Sequence, residues 1–293
     1  MAIDREKADD GRSDPPPFHP DYRGRIALIT GASAGLGRAF AHHYAACGAD
    51  LVLVARREER LVELATKLEQ TYTTTSHIVL QDLSNIDAHI KIGSKLNAFG
   101  VAPDILVNNA GLTLPRHFID MDWQSQQNLL MTMVLSVASL THLALPTMQK
   151  REWGRILTVS STAAFAPGAA GHTLYPAVKA FGLKFSRSLH EEMRGTGIHV
   201  TALCPGSTAT EFQVTNGMAG EKTTRRPLFT ETPAKVARTG ITASEHNRAV
   251  IVSGLHNKIG VSALKLLPEF ITIPLIRWGA ARSQASNPKS QNP

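Results

Sequence analysis

A short apolar run that ends in glycines constrains this chain most: Arg25 to Thr30 (RIALIT) passes directly into GASAGLG, Gly31 to Gly37. A run that apolar and that short reads as a strand buried on both faces of a parallel sheet. The glycines fit a sharp strand-to-helix turn, in which Gly31 turns while Gly35 and Gly37 admit a close backbone or ligand. Similar runs recur at Leu51 to Ala55, Ile78 to Gln81, Ile105 to Asn108, Arg155 to Ser160, His199 to Leu203 and Ala249 to Ser253. Helical patterns at Arg57 to Tyr72, Asp122 to Met148 and Tyr175 to Arg194 lie between them. Alternation of this kind implies right-handed βαβ crossovers. It predicts an α/β fold: a doubly wound parallel sheet of about seven strands with helices on both faces. Ligands of such sheets bind beyond the carboxyl ends of the strands, where every motif described below falls.

One domain accounts for the 293 residues, since no Pro/Ser-rich linker interrupts the alternation and 43% hydrophobic residues suffice for a core. We expect a flexible extension over 1–22, the sheet domain over 23–255 and an apolar, basic segment over 256–293. The extension is hydrophilic and carries Pro15, Pro16 and Pro17, with no apolar stretch of a secretory signal. Two distant cysteines, Cys47 and Cys204, suggest neither a disulfide framework nor a thiolate metal site, and a reducing cytoplasm fits. The twelve histidines, including His42, His43 and His190, show no convergent ligand spacing, so no metal is expected. A net charge of +7 comes without basic runs interleaved with aromatics, which argues against nucleic acid. Part of that charge suits an anionic, phosphate-bearing ligand.

Chemistry is concentrated in LYPAVKAF, where Tyr175 and Lys179 stand four residues apart on one helix face. A free phenol has a pKa of about 10 and needs help to act near neutrality. An ammonium beside it favours the phenolate. Such a pair protonates a reduced carbonyl or deprotonates an alcohol. On its own the pair also fits an ordinary amphipathic helix. The order of motifs decides between the two: glycine loop, Asn108-Asn109-Ala110-Gly111, serines after a later strand, then the Tyr/Lys pair. In that order the chain resembles the single-domain short-chain dehydrogenase/reductases, which adopt a Rossmann fold, from about Gly24 to about Gly254.

The resemblance implies a nicotinamide cofactor and a ketone or aldehyde interconverted with an alcohol. Gly31, Gly35, Leu36 and Gly37 would carry the pyrophosphate at a helix N-terminus, whose free N–H groups and dipole favour an anion, and Ser33 could add a hydroxyl contact to the cofactor. NAD-specific relatives place a carboxylate at the end of the second strand, where this chain has Ala55, Arg56 and Arg57. A guanidinium forks onto a 2′-phosphate, so NADP(H) is expected, with Arg56 as the contact. Arg38 could add charge, Ala34 stands where many NADP-using relatives are basic, and Arg57 and Arg60 could instead face solvent. Asp82 and Leu83 would meet the adenine. Asn108, Ala110 and Gly111 would flank its ribose, and Asn109 would brace the sheet.

At the reacting end the resemblance implies Tyr175 as acid/base, Lys179 tuning it and holding the nicotinamide ribose, and Ser161 on the substrate oxygen. Ser161 precedes the tyrosine by fourteen residues, where thirteen is commoner and would select Thr162. Pro205, Gly206, Thr208 and Thr210 would hold the nicotinamide amide and a phosphate. Glu211 to about Phe229 has the polar, glycine-containing character of a substrate lid. Met133 falls where the family usually carries a relay asparagine, and Asn128 lies five residues earlier, off that face. This departure keeps open a catalytically weak, cofactor-binding regulatory or scaffold protein. Past Gly254 the apolar segment with Lys258, Lys265, Arg277 and Arg282 reads as a pocket cover, an oligomer interface or a membrane-surface element, the last giving a membrane-surface lipid ketoreductase. An apolar carbonyl substrate, such as a steroid-like ketone or 3-oxoacyl thioester, and self-association are expectations at the family level.

Overall fold

In the computed structural model, the described residues are 20–114, 117–168, 171, 173–209 and 230–274. Seven strands form one parallel sheet: β1 (Ile26–Thr30), β2 (Asp50–Ala55), β3 (Ser76–Leu80), β4 (Ile105–Asn108), β5 (Gly154–Val159), β6 (Ile198–Cys204) and β7 (Val250–Val252). Their order is β3-β2-β1-β4-β5-β6-β7, so the connections reverse direction between β1 and β4. That reversal opens a crevice beyond the carboxyl ends of β1 and β4.

Around the sheet lie α1 (Gly35–Ala46), α2 (Glu58–Thr71), α3 (Ala88–Phe99), α4 (Trp123–Leu130), α5 (Ser136–Lys150), α6 (Leu174–Glu192), α7 (Pro233–Glu245) and α8 (Leu255–Leu266). Alternating strand side chains feed two cores. Ala27 and Ile29 of β1 pack with Phe40, Tyr44, Leu61, Leu64 and Ile241 on one face; Leu28 packs with Ile92, Leu96, Leu140 and Met148 on the other. Each such fully buried leucine or isoleucine contributes about 2 kcal/mol relative to exposure. All seven sequence-predicted strands are present, with ends shifted by at most two residues.

Between α4 and α5 a π-helical turn, Met131–Leu135, interrupts what the sequence pattern predicts as one helix. The whole stretch Trp123–Lys150 is long and apolar enough to cross a membrane. Here Leu140, Ala144 and Met148 of α5 are buried in the core on one face of the sheet. Tyr22, expected within the flexible extension, is part of the folded core, and residues 1–19 lie outside the described residues. Tyr22 is buried at 1% exposure, its ring 5.4 Å from Tyr44 and 6.4 Å from Trp153, and its hydroxyl donates to Glu245 at 2.8 Å. A lone tyrosine beside a polar tail carries no periodic signal, so its tertiary anchoring was not legible. The lid expected over 211–229, the expected contact Thr210 and the basic residues Arg277 and Arg282 lie outside the described residues.

Candidate active site

The crevice at the β1/β4 reversal is a cleft of about 810 Å³ that collects the loops following β1 to β6. At its floor, Gly31 has φ +66° and Gly35 φ +54°, conformations that disfavour a side chain. Gly37 has another reason to be glycine: a β-carbon there would collide with the Gly31 carbonyl oxygen. Gly37 therefore sits beneath the cleft and lets α1 approach the loop, while Gly31, Ser33, Gly35 and Leu36 line it. Helix α1 begins after Ala34 with no side-chain cap and no acidic residue in its first turn. Its unpaired N–H groups and positive end face the cleft, which suits a pyrophosphate.

Thr30 and Asn109 lock this loop to β4. The Thr30 hydroxyl donates to Val107 O at 3.1 Å and accepts from the N–H groups of Asn109 and Ala110 at 2.9 and 3.0 Å. Asn109 Nδ2 donates to Thr30 O at 2.8 Å. Asn109 is thus the brace, and it also lines the cleft with Ala110 and Gly111. Asn108, expected beside the ribose, turns the other way: it is buried, and its Nδ2 donates to Thr141 of α5 at 3.2 Å. Successive strand residues face opposite sides, so only one of the two asparagines reaches the cleft.

At the end of β2, Arg57 donates to Ser33 Oγ through Nη2 at 3.1 Å and Nε at 3.4 Å. Its guanidinium is held at the glycine loop and lines the cleft. Arg56 also lines it but pairs with Asp82 at 3.4 Å. Asp82 is fixed by Ser84, whose N–H and hydroxyl donate at 2.9 and 2.8 Å. Burial raises the Asp82 pKa, but the Ser84 bonds and the Arg56 charge outweigh it and leave the carboxyl below its ordinary value. Leu83 lies beside it in the wall. Arg38 is turned to the outer surface, 3.6 Å from Glu63, and takes no part in the cleft.

The other end of the cleft belongs to β5 and α6. Ser161 caps the 3-10 turn Thr162–Phe165, its Oγ accepting from Ala163 N at 3.1 Å. A hydrogen bond between the same side chain and Tyr175 favours the phenolate, and Ser161 and Thr162 both line the cleft. Ser160 is buried and structural, donating to Lys179 O at 2.7 Å. Burial pushes the Tyr175 phenol up from its ordinary value, and the Ser161 bond pulls it part of the way back. Lys179 is likewise buried, which lowers its pKa to about 8. Its ammonium donates to Val159 O at 2.8 Å and lies 5.7 Å from the centre of the tyrosine ring. Desolvation is the first cause of the Tyr175 shift and the Ser161 bond the second.

Met133 occupies the π turn, 4% exposed, and its sulfur accepts from Leu112 N at 3.5 Å. It packs with Leu129 and Val178 under the tyrosine ring and does not line the cleft. Asn128 does line it, together with Ser125 and Thr132 of the same helical face. Pro205, Gly206, Ser207 and Thr208 close the far wall. Sequence reasoning missed Ser125 and Thr132, which belong to no motif and reach the cleft only through helix phase, and it named the turn carrying Ser207 without picking out Ser207 itself.

A family model described as short chain dehydrogenase matches residues 25–219. Sulfoacetaldehyde reductase 2 of Chromohalobacter salexigens is 35% identical over 209 residues, 71% of this chain and 81% of that protein. The 17-beta-hydroxysteroid dehydrogenase type 3 of Mus musculus is 37% identical over 190 residues, 64% of this chain, and the match spans 61% of the mouse protein's length. Among solved structures, a short-chain dehydrogenase from Sphingobium yanoikuyae in complex with NADPH superposes with a TM-score of 0.73 at 27% identity, covering 92% of this chain and 98% of that one.

Proposed function

The chain belongs to the short-chain dehydrogenase family and is an oxidoreductase; from that premise we propose that it reduces a ketone or aldehyde to an alcohol with NADPH, using Tyr175 as the proton donor. The observation that carries this reading is the Ser161–Tyr175 hydroxyl pair, set with Lys179 in the same cleft as the glycine loop. A phenol raised by burial stays protonated at neutral pH, the form that reduction requires. Ser161 holds the carbonyl oxygen, and Tyr175 delivers its proton to the same oxygen as negative charge develops there. A bound NADPH supplies the hydride. Lys179 keeps one N–H on Val159 O and offers its others to the cofactor's ribose.

NADPH over NADH rests on Arg57, which Ser33 steadies beside the glycine loop, and on the lack of a carboxylate at Ala55. The NADPH named for the Sphingobium yanoikuyae relative supports the same choice. In the substrate wall, Leu112 and Leu114 set an apolar tone that Ser125, Asn128 and Thr132 temper, so a mainly apolar carbonyl with one polar group fits best. Oxidation of NADPH, with NADH in parallel, against a panel of ketones, aldehydes and acyl thioesters tests the reading. Turnover that prefers NADPH supports it; cofactor binding without turnover on any member would favour the regulatory alternative.

A surface role for α8 belongs to the same reading. Leu255, Ile259 and Leu266 lie along one side of the helix and are 73%, 64% and 83% exposed, followed by Phe270 at 76%. An apolar stripe of this kind meets a second copy of the chain or a lipid surface. Sedimentation of the Ile259→Gln/Leu266→Gln variant separates the two from a solvated helix: unchanged mass and no vesicle flotation in either protein would remove both.

A further inference from the structure

Three segments distant in sequence meet behind the Pro205–Thr208 wall. Asn257, in the first turn of α8, lays its side chain on Gly206, where a β-carbon would collide with the Asn257 amide. Gly206 is not among the positive-φ glycines, so its backbone is one that other residues adopt. Contact with Asn257, and not backbone conformation, demands glycine there. The amide is fixed in turn, Asn257 Nδ2 donating to Ser253 O at 2.7 Å.

On the other side stands Glu231, only 6% exposed. Its carboxylate accepts from the Ser253 hydroxyl and pairs with Lys235 at 3.3 Å. Its backbone N–H donates to Ser207 O at 3.2 Å, and its carbonyl accepts from Ala209 N at 3.0 Å. Gly254 leaves room for the carboxylate, since a β-carbon there would lie 2.9 Å from Glu231 Oε2. Burying a carboxylate is costly; here the carboxylate anchors Glu231 to Ser253 and Lys235, while the backbone of the same residue bonds the turn. Neither Glu231 nor Asn257 lines the cleft, whereas all four turn residues do.

We propose that Asn257 and Glu231 are positioning residues that clamp the Pro205–Thr208 turn from its two sides and so set the cofactor-binding geometry of that wall. The inference rests on the cofactor reading above. Ser253 links the two halves of the clamp, because its carbonyl holds Asn257 while its hydroxyl holds Glu231. The turn itself has few other restraints among the described residues: Thr162 N donates to Pro205 O at 2.9 Å, and Thr208 Oγ1 donates to Gly206 O at 3.3 Å. Without the clamp the wall relaxes away from the ligand, and small misplacements in such sites are costly.

The test is NADPH titration by fluorescence, with thermal melts alongside, for Asn257→Ala, Glu231→Ala, Glu231→Gln, Gly206→Ala and the Gly206→Ala/Asn257→Ala double variant. Asn257→Ala and Glu231→Ala are expected to raise the NADPH Kd about tenfold while still folded at the assay temperature. Glu231→Gln keeps an acceptor for Ser253 and stays within about threefold. In the Gly206→Ala background, removing the Asn257 side chain relieves the collision, so the double variant binds better than the sum of its parts. Lower melting temperatures with Kd values within about twofold of wild type would reduce the clamp to ordinary stabilisation and overturn the proposal. Strictly additive Gly206 and Asn257 effects would also overturn it. A wild type that binds neither NADPH nor NADH would overturn the cofactor reading first, and this inference with it.

Discussion

At the glycine end of the cleft, geometry is set by contacts that leave no room for a β-carbon; at the tyrosine end it is set by side chains whose charge depends on burial. Gly37 against Gly31 O and Asn109 against Thr30 are steric and backbone arrangements. They hold whatever the pH and whatever is bound. Tyr175 and Lys179 are both desolvated, and desolvation moves them in opposite directions, the phenol up and the ammonium down to about 8. One end is a rigid cradle. The other is a chemical environment that a ligand's own charge completes.

The largest effect is expected at Gly37. Gly37→Ala forces the loop and α1 apart, so NADPH affinity falls by about a hundredfold while Tyr175 and Ser161 stay paired. Titration of the variant by cofactor fluorescence checks this, and an affinity near wild type would show the cradle to be softer than its contacts imply. Next in size is Arg57→Ala, which frees Ser33 and removes the cation at the loop. The ratio of NADPH to NADH affinity should drop by about tenfold, chiefly through NADPH. Equal losses for both cofactors would move the 2′-phosphate contact to another residue.

Lys179 gives the tyrosine end a pH dependence. In the unfolded chain its amine titrates at the ordinary 10.5, and in the fold at about 8. Between those values the unfolded chain holds a proton that the folded one has released, so folded stability rises with pH across the window and is lost as pH falls through about 8. The slope is about 1.4 kcal/mol per pH unit at most. Urea unfolding of wild type and Lys179→Met from pH 7.5 upward reads it as the difference between the two, which cancels the buried cysteines and tyrosines common to both. Parallel curves would mean that the lysine remains charged. The smallest effect is far from the cleft: Tyr22→Phe removes one partly buried bond to Glu245 and should cost about 1 kcal/mol of stability with cofactor affinity unchanged.

What could be read from the chain follows the same division. The sheet, its strand sequence and the glycine loop were legible because apolar runs and glycines state backbone requirements locally. The Tyr175/Lys179 spacing was legible for the same reason, since four residues make one helix face. The direction of the Tyr175 shift was not, because it depends on how much of the phenol the whole fold removes from water. Nor did adjacency separate Asn108 from Asn109 or Arg56 from Arg57; strand phase sends one asparagine to α5, and Asp82, some 26 residues on, draws Arg56 aside. Glu231, Asn257 and Tyr22 had no motif at all. Their roles arise from contacts between segments that only the folded chain brings together.

We propose Tyr175 as the proton donor in a cleft whose cofactor end does not depend on its hydroxyl. Paired measurement of NADPH affinity and of carbonyl reduction for wild type and Tyr175→Phe tests this directly, because the substitution removes one hydroxyl and leaves the ring that packs beside Met133 and Val178. The account predicts an NADPH Kd within about twofold of wild type and a fall in kcat of about a thousandfold. Turnover by the phenylalanine variant at a rate close to wild type would contradict it and transfer the proton to another group.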